Sequence, residues 1–109
     1  MAQQPRSLAQ VDLTATTLTD IYTVPASTSA IARVTFCNRS GSAVVIRLAH
    51  APAGAADALP HYHLYDFSLP ANDAWTTPYT IELATTDKIR AKAGTANVIS
   101  VTVHGLEIT

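Results

Sequence analysis

The chain has 109 residues, one ordinary domain's worth, with 48% hydrophobic residues, only 14% charged residues and a net charge of −1. That balance provides no global field for nucleic acid or an anionic membrane, and no run approaches the ~18 apolar residues of a membrane helix. A single cysteine, Cys37, excludes an intrachain disulfide, and the N-terminal MAQQPRSLAQ lacks the apolar core of a signal peptide. A soluble protein made in the cytoplasm is expected, with neither nucleic acid nor membrane as a partner.

In chain order, residues 1–7 are polar with a proline and are expected as a flexible N-terminal arm, with a single domain over residues 8–109. Residues 8–15 alternate weakly through Val11 and Leu13, as a short edge strand would. Residues 18–24 form a better strand, with Leu18, Asp20, Tyr22 and Val24 on one face, ended by Pro25. Residues 31–51 (IARVTFCNRSGSAVVIRLAHA) read as a hairpin and as the folding core. Ala32, Val34 and Phe36 alternate in its first strand, and Val44, Ile46 and Leu48 in its second. Pairing Asn38 with Ser42 leaves a three-residue loop with Gly41 where positive φ is wanted. This register sets Phe36 opposite Val44 and places Arg33 opposite Arg47 on the face away from the core.

Residues 51–60 are an alanine-rich loop with room for one helical turn. Residues 61–69 form a strand with His61, His63, Tyr65, Phe67 and Leu69 on one face. Residues 70–73 turn the chain. Residues 74–83 alternate with Trp75, Thr77, Tyr79, Ile81 and Leu83 on one face, and Pro78 marks an edge or a bulge. Residues 87–93 send Ile89, Ala91 and Ala93 inward and Lys88, Arg90 and Lys92 outward. Residues 94–97 read as a hairpin turn, and the last strand covers residues 98–108, with a bulge or twist expected at Gly105, where the apolar parity switches. Strands recurring at roughly 8–12 residues with no helical period predict an all-β antiparallel sandwich of seven to eight strands, with a jelly roll as one form of it.

Chemistry-bearing patterns are sparse. His61 and His63 could bind one metal ion from a strand face if His50, His104 or Asp66 supplied a third ligand, against packing within an aromatic strand. Cys37 ends a strand and is expected as a small buried hydrophobe rather than a nucleophile. Asp20, Asp57, Asp73 and Asp87 fall at or near turns, where aspartate bonds the backbone. No enzyme and no cofactor are expected. The Lys88–Arg90–Lys92 stripe is either an electrostatic contact or, preferentially, a solvated face that guards an edge strand. Val44–Val45–Ile46 and Leu64–Tyr65 are apolar on both strand faces, which points to a subunit interface. The interface candidates are Arg33, Val45, Arg47, Tyr62 and Leu64.

Taken together, Tyr22-x-Val24-Pro25, Cys37-Asn38-Arg39-Ser40, Tyr62-x-x-Tyr65, Leu69-Pro70-Ala71-Asn72-Asp73, Asp87-x-Ile89-Arg90 and Gly105-Leu106-Glu107-Ile108 resemble a family of small β-sandwich virion proteins of tailed bacteriophages. Its members are capsid decoration (cement) proteins or modules of head fibres and tail structures. The resemblance spans residues 18–109 and carries over no catalytic residue. It implies a homo-oligomer, a trimer, bound to the major capsid protein or other virion proteins and assembled in the host cytoplasm. With no shaft or receptor-binding domain beside the module, a stand-alone accessory protein is expected over a fibre. The alternatives are a neck or tail accessory protein, and a carbohydrate-binding module that uses Tyr62, Trp75 or Tyr79 on the host surface.

Overall fold

The computed structural model describes residues 3–14, 16–56 and 58–108. Among them nine strands form two antiparallel sheets: β1 (Gln3–Asp12), β2 (Thr19–Thr23), β3 (Ser29–Asn38), β4 (Val44–Ala51), β5 (Tyr62–Leu69), β6 (Ala74–Thr76), β7 (Ile81–Leu83), β8 (Lys88–Ala93) and β9 (Ile99–Ile108). One sheet runs β1-β9-β3-β6, with β7 also on β3; the other runs β2-β8-β4-β5. β6 and β7 are one edge strand in two pieces, pairing with Thr35–Cys37 and Ala30–Ala32 of β3. The paired ribbons β1–β9, β2–β8, β3–β6/β7 and β4–β5 therefore nest as one long hairpin wrapped on itself, which is the jelly roll.

The alternation expected from sequence sets the strand faces. Ala32, Val34 and Phe36 of one sheet and Val44, Ile46 and Leu48 of the other are all buried, with Ile89, Ala91, Ala93, Ile99, Val101 and Val103 beside them. The expected hairpin over residues 31–51 does not form. β3 pairs with β9, β6 and β7, and β4 pairs with β5 and β8, so the two apolar rows meet across the core instead of along a ladder. The connection is an arch between sheets. Asn38, fully buried, organises it: Nδ2 donates to the carbonyls of Ser42 (2.9 Å), Leu69 (3.1 Å) and Pro70 (3.1 Å), and Oδ1 accepts from the Ser40 amide (2.9 Å). The arch is thereby tied to the neighbouring crossing between β5 and β6, where the Asn38 amide also bonds the Asp73 carbonyl. Gly41 is not among the glycines with positive φ, because no tight hairpin loop exists to demand it.

Other expectations shift for similar reasons. The chain between β8 and β9 crosses sheets and is no hairpin turn. β1 begins at Gln3, inside the segment expected as an arm, and its backbone pairs with β9. β2 carries a bulge between Asp20 and Tyr22, so Ile21 and Tyr22 are both buried instead of alternating. The strand expected over residues 74–83 breaks at residues 77–80 around Pro78, yet Thr77 keeps hold of Val34: its amide donates to the Val34 carbonyl (3.0 Å) and its hydroxyl accepts from the Val34 amide (3.2 Å). The bulge expected at Gly105 is displaced. β9 runs against β3 in unbroken register, and the irregularity lies opposite, between Ser7 and Ala9 of β1. Gly105 is required for a different reason: a Cβ there would lie 2.0 Å from the Ile31 carbonyl oxygen. The loop between β4 and β5 holds two short 3-10 turns, Pro52–Gly54 and Leu59–His61, flanking the position where one turn was expected.

Candidate functional site: an arginine–tyrosine platform on the outer face of a sheet

Two bulges in β5 build the most developed surface feature. The register of β5 against β4 shifts between Ile46 and Leu48 and again between Leu48 and Ala49. Asp66 takes a positive φ of 55° at the first shift. Leu64 and Phe67 both pack against the core, while Tyr65 and Asp66 between them turn outward. Arg47 of β4 meets them. Its Nε and Nη2 donate to the two carboxylate oxygens of Asp66 at 2.6 and 3.1 Å, and its guanidinium lies 3.9 Å from the Tyr65 ring centroid. Tyr62 closes the group edge-on to Tyr65, with ring centroids 5.0 Å apart. The Asp66 hydrogen bond raises the Arg47 pKa, and Arg47 in turn holds the Asp66 carboxyl below its ordinary value. The result is a rigid, charged and aromatic platform with Tyr65 53% exposed, on the same outward side of β4 as the 41% exposed Val45.

Of the interface candidates, Arg47 and Tyr62 thus belong to one cluster and Val45 to the same face. Leu64 does not: the bulge turns it to the core. Arg33 is exposed on the other sheet, opposite His104 rather than Arg47. Arg47 sits opposite Lys92 of β8. Tyr65 and Asp66 were missed as partners of Arg47, because strict alternation puts Tyr65 on the inward face. The one available signal was an aromatic and an acid beside a position that needs an outward partner for arginine.

The basic stripe lies on β8, which is a central strand, so guarding an edge is not its role. Lys88 Nζ and Arg90 Nε both donate to Asp20, at 2.8 and 2.6 Å, and Arg90 also bonds the Ala55 carbonyl (2.7 Å). Asp20 is therefore a sheet ion-pair centre rather than a turn residue, and its pKa is lowered by Lys88 and then Arg90. Asp73 does bond backbone at a turn, through the Ala74 amide (2.8 Å), and Asp57 lies outside the described residues.

The histidines divide. His63 turns to His50, with the rings stacked at 6.3 Å, and its Nδ1 hydrogen-bonds the Tyr79 hydroxyl at 2.8 Å. His50 Nε2 lies 2.8 Å from Asp87 Oδ2. Burial raises the Asp87 carboxyl, but the amides of Ala53 and Ala84 together with His50 outweigh it and leave the pKa lowered. Burial, and then the charge of His50, push the His63 pKa down. This chain of side chains ties β4, β5 and the break between β6 and β7 together. The His61 ring does not join it, and its Nδ1 is buried with no hydrogen-bond partner among the described residues. Among those residues no three His, Cys, Asp or Glu side chains are placed to share a metal ion. Cys37, expected buried, is exposed, because it falls on the outward parity of β3. Of the rings considered for sugar stacking, Trp75 packs between Phe36 (6.4 Å) and Phe67 (5.7 Å), and Tyr79 is exposed but engaged by His63.

No family model and no curated protein matches the chain. Solved structures do. A chain in the structure of infectious bursal disease virus, Gx strain, is similar over 97% of this chain, with a TM-score of 0.51 and 12% identity. This chain spans 32% of the length of that one, and the likeness is one of fold alone.

Proposed function

We propose that this chain is a non-enzymatic structural protein of a virion, specifically a tailed-phage capsid decoration protein that binds the head surface as a homo-oligomer, a trimer. The observation that carries the proposal is the jelly-roll sandwich shared with a chain of a virus structure, joined to a prebuilt Arg47–Tyr62–Tyr65–Asp66 platform. Arginine and tyrosine held in fixed geometry are what subunit junctions use as anchors, since little side-chain freedom is left to lose on association. The same sheet presents Lys88, Arg90, Lys92 and Arg47 against Asp20 and Asp66, four cations to two acids, which suits an acidic capsid surface. The phage resemblance of the turn and strand motifs supplies the host class. Assembly in the host cytoplasm, and a major capsid protein as partner, follow from that class.

The test is biochemical. Particles purified from a phage encoding this chain are expected to contain it in stoichiometric amount, and to lose it when Arg47 and Tyr65 are both replaced by alanine. Particles that never carry the chain overturn the proposal; particles carrying it only at the neck or tail move it to the accessory alternative. A second proposal, sugar binding, is favoured by one observation, the exposed Tyr65 ring backed by a fixed donor and acceptor pair. Glycan-array binding abolished by Tyr65→Ala would support it.

A further inference from the structure

The outward-facing cations of the β2-β8-β4-β5 sheet are matched to acids, except at one position. Lys88 and Arg90 of β8 share Asp20, and Arg47 of β4 holds both oxygens of Asp66. Lys92 of β8 contacts no carboxylate among the described residues. The register sets it directly opposite Arg47. Like charges at opposed positions of neighbouring strands are unfavourable. Asp66 does not resolve the conflict, because both its oxygens are committed to Arg47 and it acts on Lys92 only through the field.

The surroundings of Lys92 narrow what could supply the missing charge. Exposed Val45 precedes Arg47 by two residues on the same face of β4, and its carbonyl accepts from the amide of Gly94, two residues beyond Lys92 (2.8 Å). On the far side of Arg47, β5 presents the exposed Tyr65 ring. One unmatched positive charge thus lies beside two exposed apolar groups. A nucleic acid would bring several phosphates to a single vacancy and set them against Asp66. A small anion or a sugar acid would leave Val45 uncovered. A protein segment that pairs a carboxylate with an aliphatic side chain matches the charge and the apolar surface together.

We infer that Lys92 receives a glutamate or aspartate from the protein surface on which this chain docks, with an aliphatic neighbour of that acid lying over Val45 and Tyr65. The inference rests on the docking face proposed above and names the contact within it. In the free chain Lys92 repels Arg47 across the ladder, and the incoming carboxylate removes that repulsion. The charge that costs stability in isolation contributes affinity and register on docking.

The test titrates the full chain at low salt with a blocked peptide, Leu-Glu-Glu-Leu, and with its uncharged counterpart Leu-Gln-Gln-Leu, read by amide chemical shifts. The acidic peptide is expected to shift the amides of Val45, Arg47 and Lys92, and to bind Lys92→Met about fivefold more weakly, the effect of one partly exposed ion pair. Lys92→Arg, which keeps the charge, is expected to bind as the parent does. Lys92→Met is also expected to melt no lower than the parent, since a cross-strand repulsion is relieved. A Lys92→Met chain that melts well below the parent marks the lysine as structural and overturns the proposal. So does equal binding of the two peptides, equal binding by Lys92→Met, or tighter binding of glucuronate than of the acidic peptide. Particles that take up Lys92→Met as well as the parent overturn this contact and leave decoration standing. Particles that take up neither overturn decoration, and peptide binding lost in Lys92→Met then still upholds the acid site.

Discussion

Asn38→Ala should be among the most damaging single substitutions in the chain. The side chain is fully buried and serves three carbonyls, those of Ser42, Leu69 and Pro70, and one amide, that of Ser40. Each such hydrogen bond contributes about 1 kcal/mol net, and the buried Leu69 carbonyl, left unpaired, costs about 1–3 kcal/mol. Water can replace part of the loss at Ser42 and Pro70, which lie nearer the surface. The expected destabilisation is about 3–5 kcal/mol, a large share of the roughly 5–15 kcal/mol that holds a domain together. At roughly 4 °C per kcal/mol for a chain of this size, the melting temperature should fall by about 12–20 °C. Asn38→Asp separates hydrogen bonding from volume. Its carboxylate still accepts from Ser40 but turns an oxygen toward three carbonyl oxygens, so at pH 7 it should be worse than alanine. At lower pH the protonated acid can donate again and stability should partly return. Urea and thermal unfolding of the three proteins at pH 7 and pH 4.5, each read against the parent at the same pH, measure this. A loss below 1 kcal/mol for Asn38→Ala, or an Asn38→Asp protein more stable than Asn38→Ala at pH 7, would refute the role assigned to Asn38.

Further predictions concern other parts of the fold. Gly105→Ala places a Cβ against the Ile31 backbone and should destabilise by about 3 kcal/mol in the same unfolding assays, whereas Gly41→Ala, with nothing near its Cβ, should change stability by less than about 0.5 kcal/mol. Asp87→Ala removes acceptors from the Ala53 and Ala84 amides and the partner of His50, and should cost about 2–4 kcal/mol. For His63 the folded chain binds a proton less readily than the unfolded chain, so stability is full above about pH 6.5 and falls as the pH drops below it. The melting temperature should decline between pH 7.5 and pH 5, and His63→Asn should flatten that decline; an equal slope in both proteins counts against it. Asp20, Asp66 and Asp87, all lowered, add a second loss only below about pH 4. Tyr65→Ala should leave unfolding nearly unchanged and weaken binding to particles.

What could be read from the sequence was which way side chains face, and what could not was which strands lie side by side. Ala32, Val34 and Phe36 alternate as buried residues whether they pair with Val44, Ile46 and Leu48 or face them across a core. A glycine-containing loop between two such rows is compatible with a hairpin and with an arch. The arch is chosen by tertiary interactions, above all the Asn38 amide reaching Leu69 and Pro70, more than thirty residues away in the chain. Ile89, Ala91 and Ala93 were legible because β8 has no bulge along that stretch facing β4. β5 was not, since each bulge moves parity by one residue and leaves no mark in composition. That is why Tyr65 and Leu64 are found on the faces opposite to those expected, while Asp66, Arg47, Val45 and Tyr62 lie on the outer surface anticipated for them. His50 and Asp87 meet only because the turn between β7 and β8 comes up beside the end of β4, a placement that depends on the whole wrapped ribbon.

The most direct measurement is a symmetry-resolved cryo-electron microscopy reconstruction of the intact particle. The account predicts two-sheet sandwiches at symmetry-related positions on the outside of the head, as homo-oligomers, with the Arg47–Tyr65 face against the capsid. Isolated single sandwiches with both surfaces open to solvent, or particles with no such density, would contradict it.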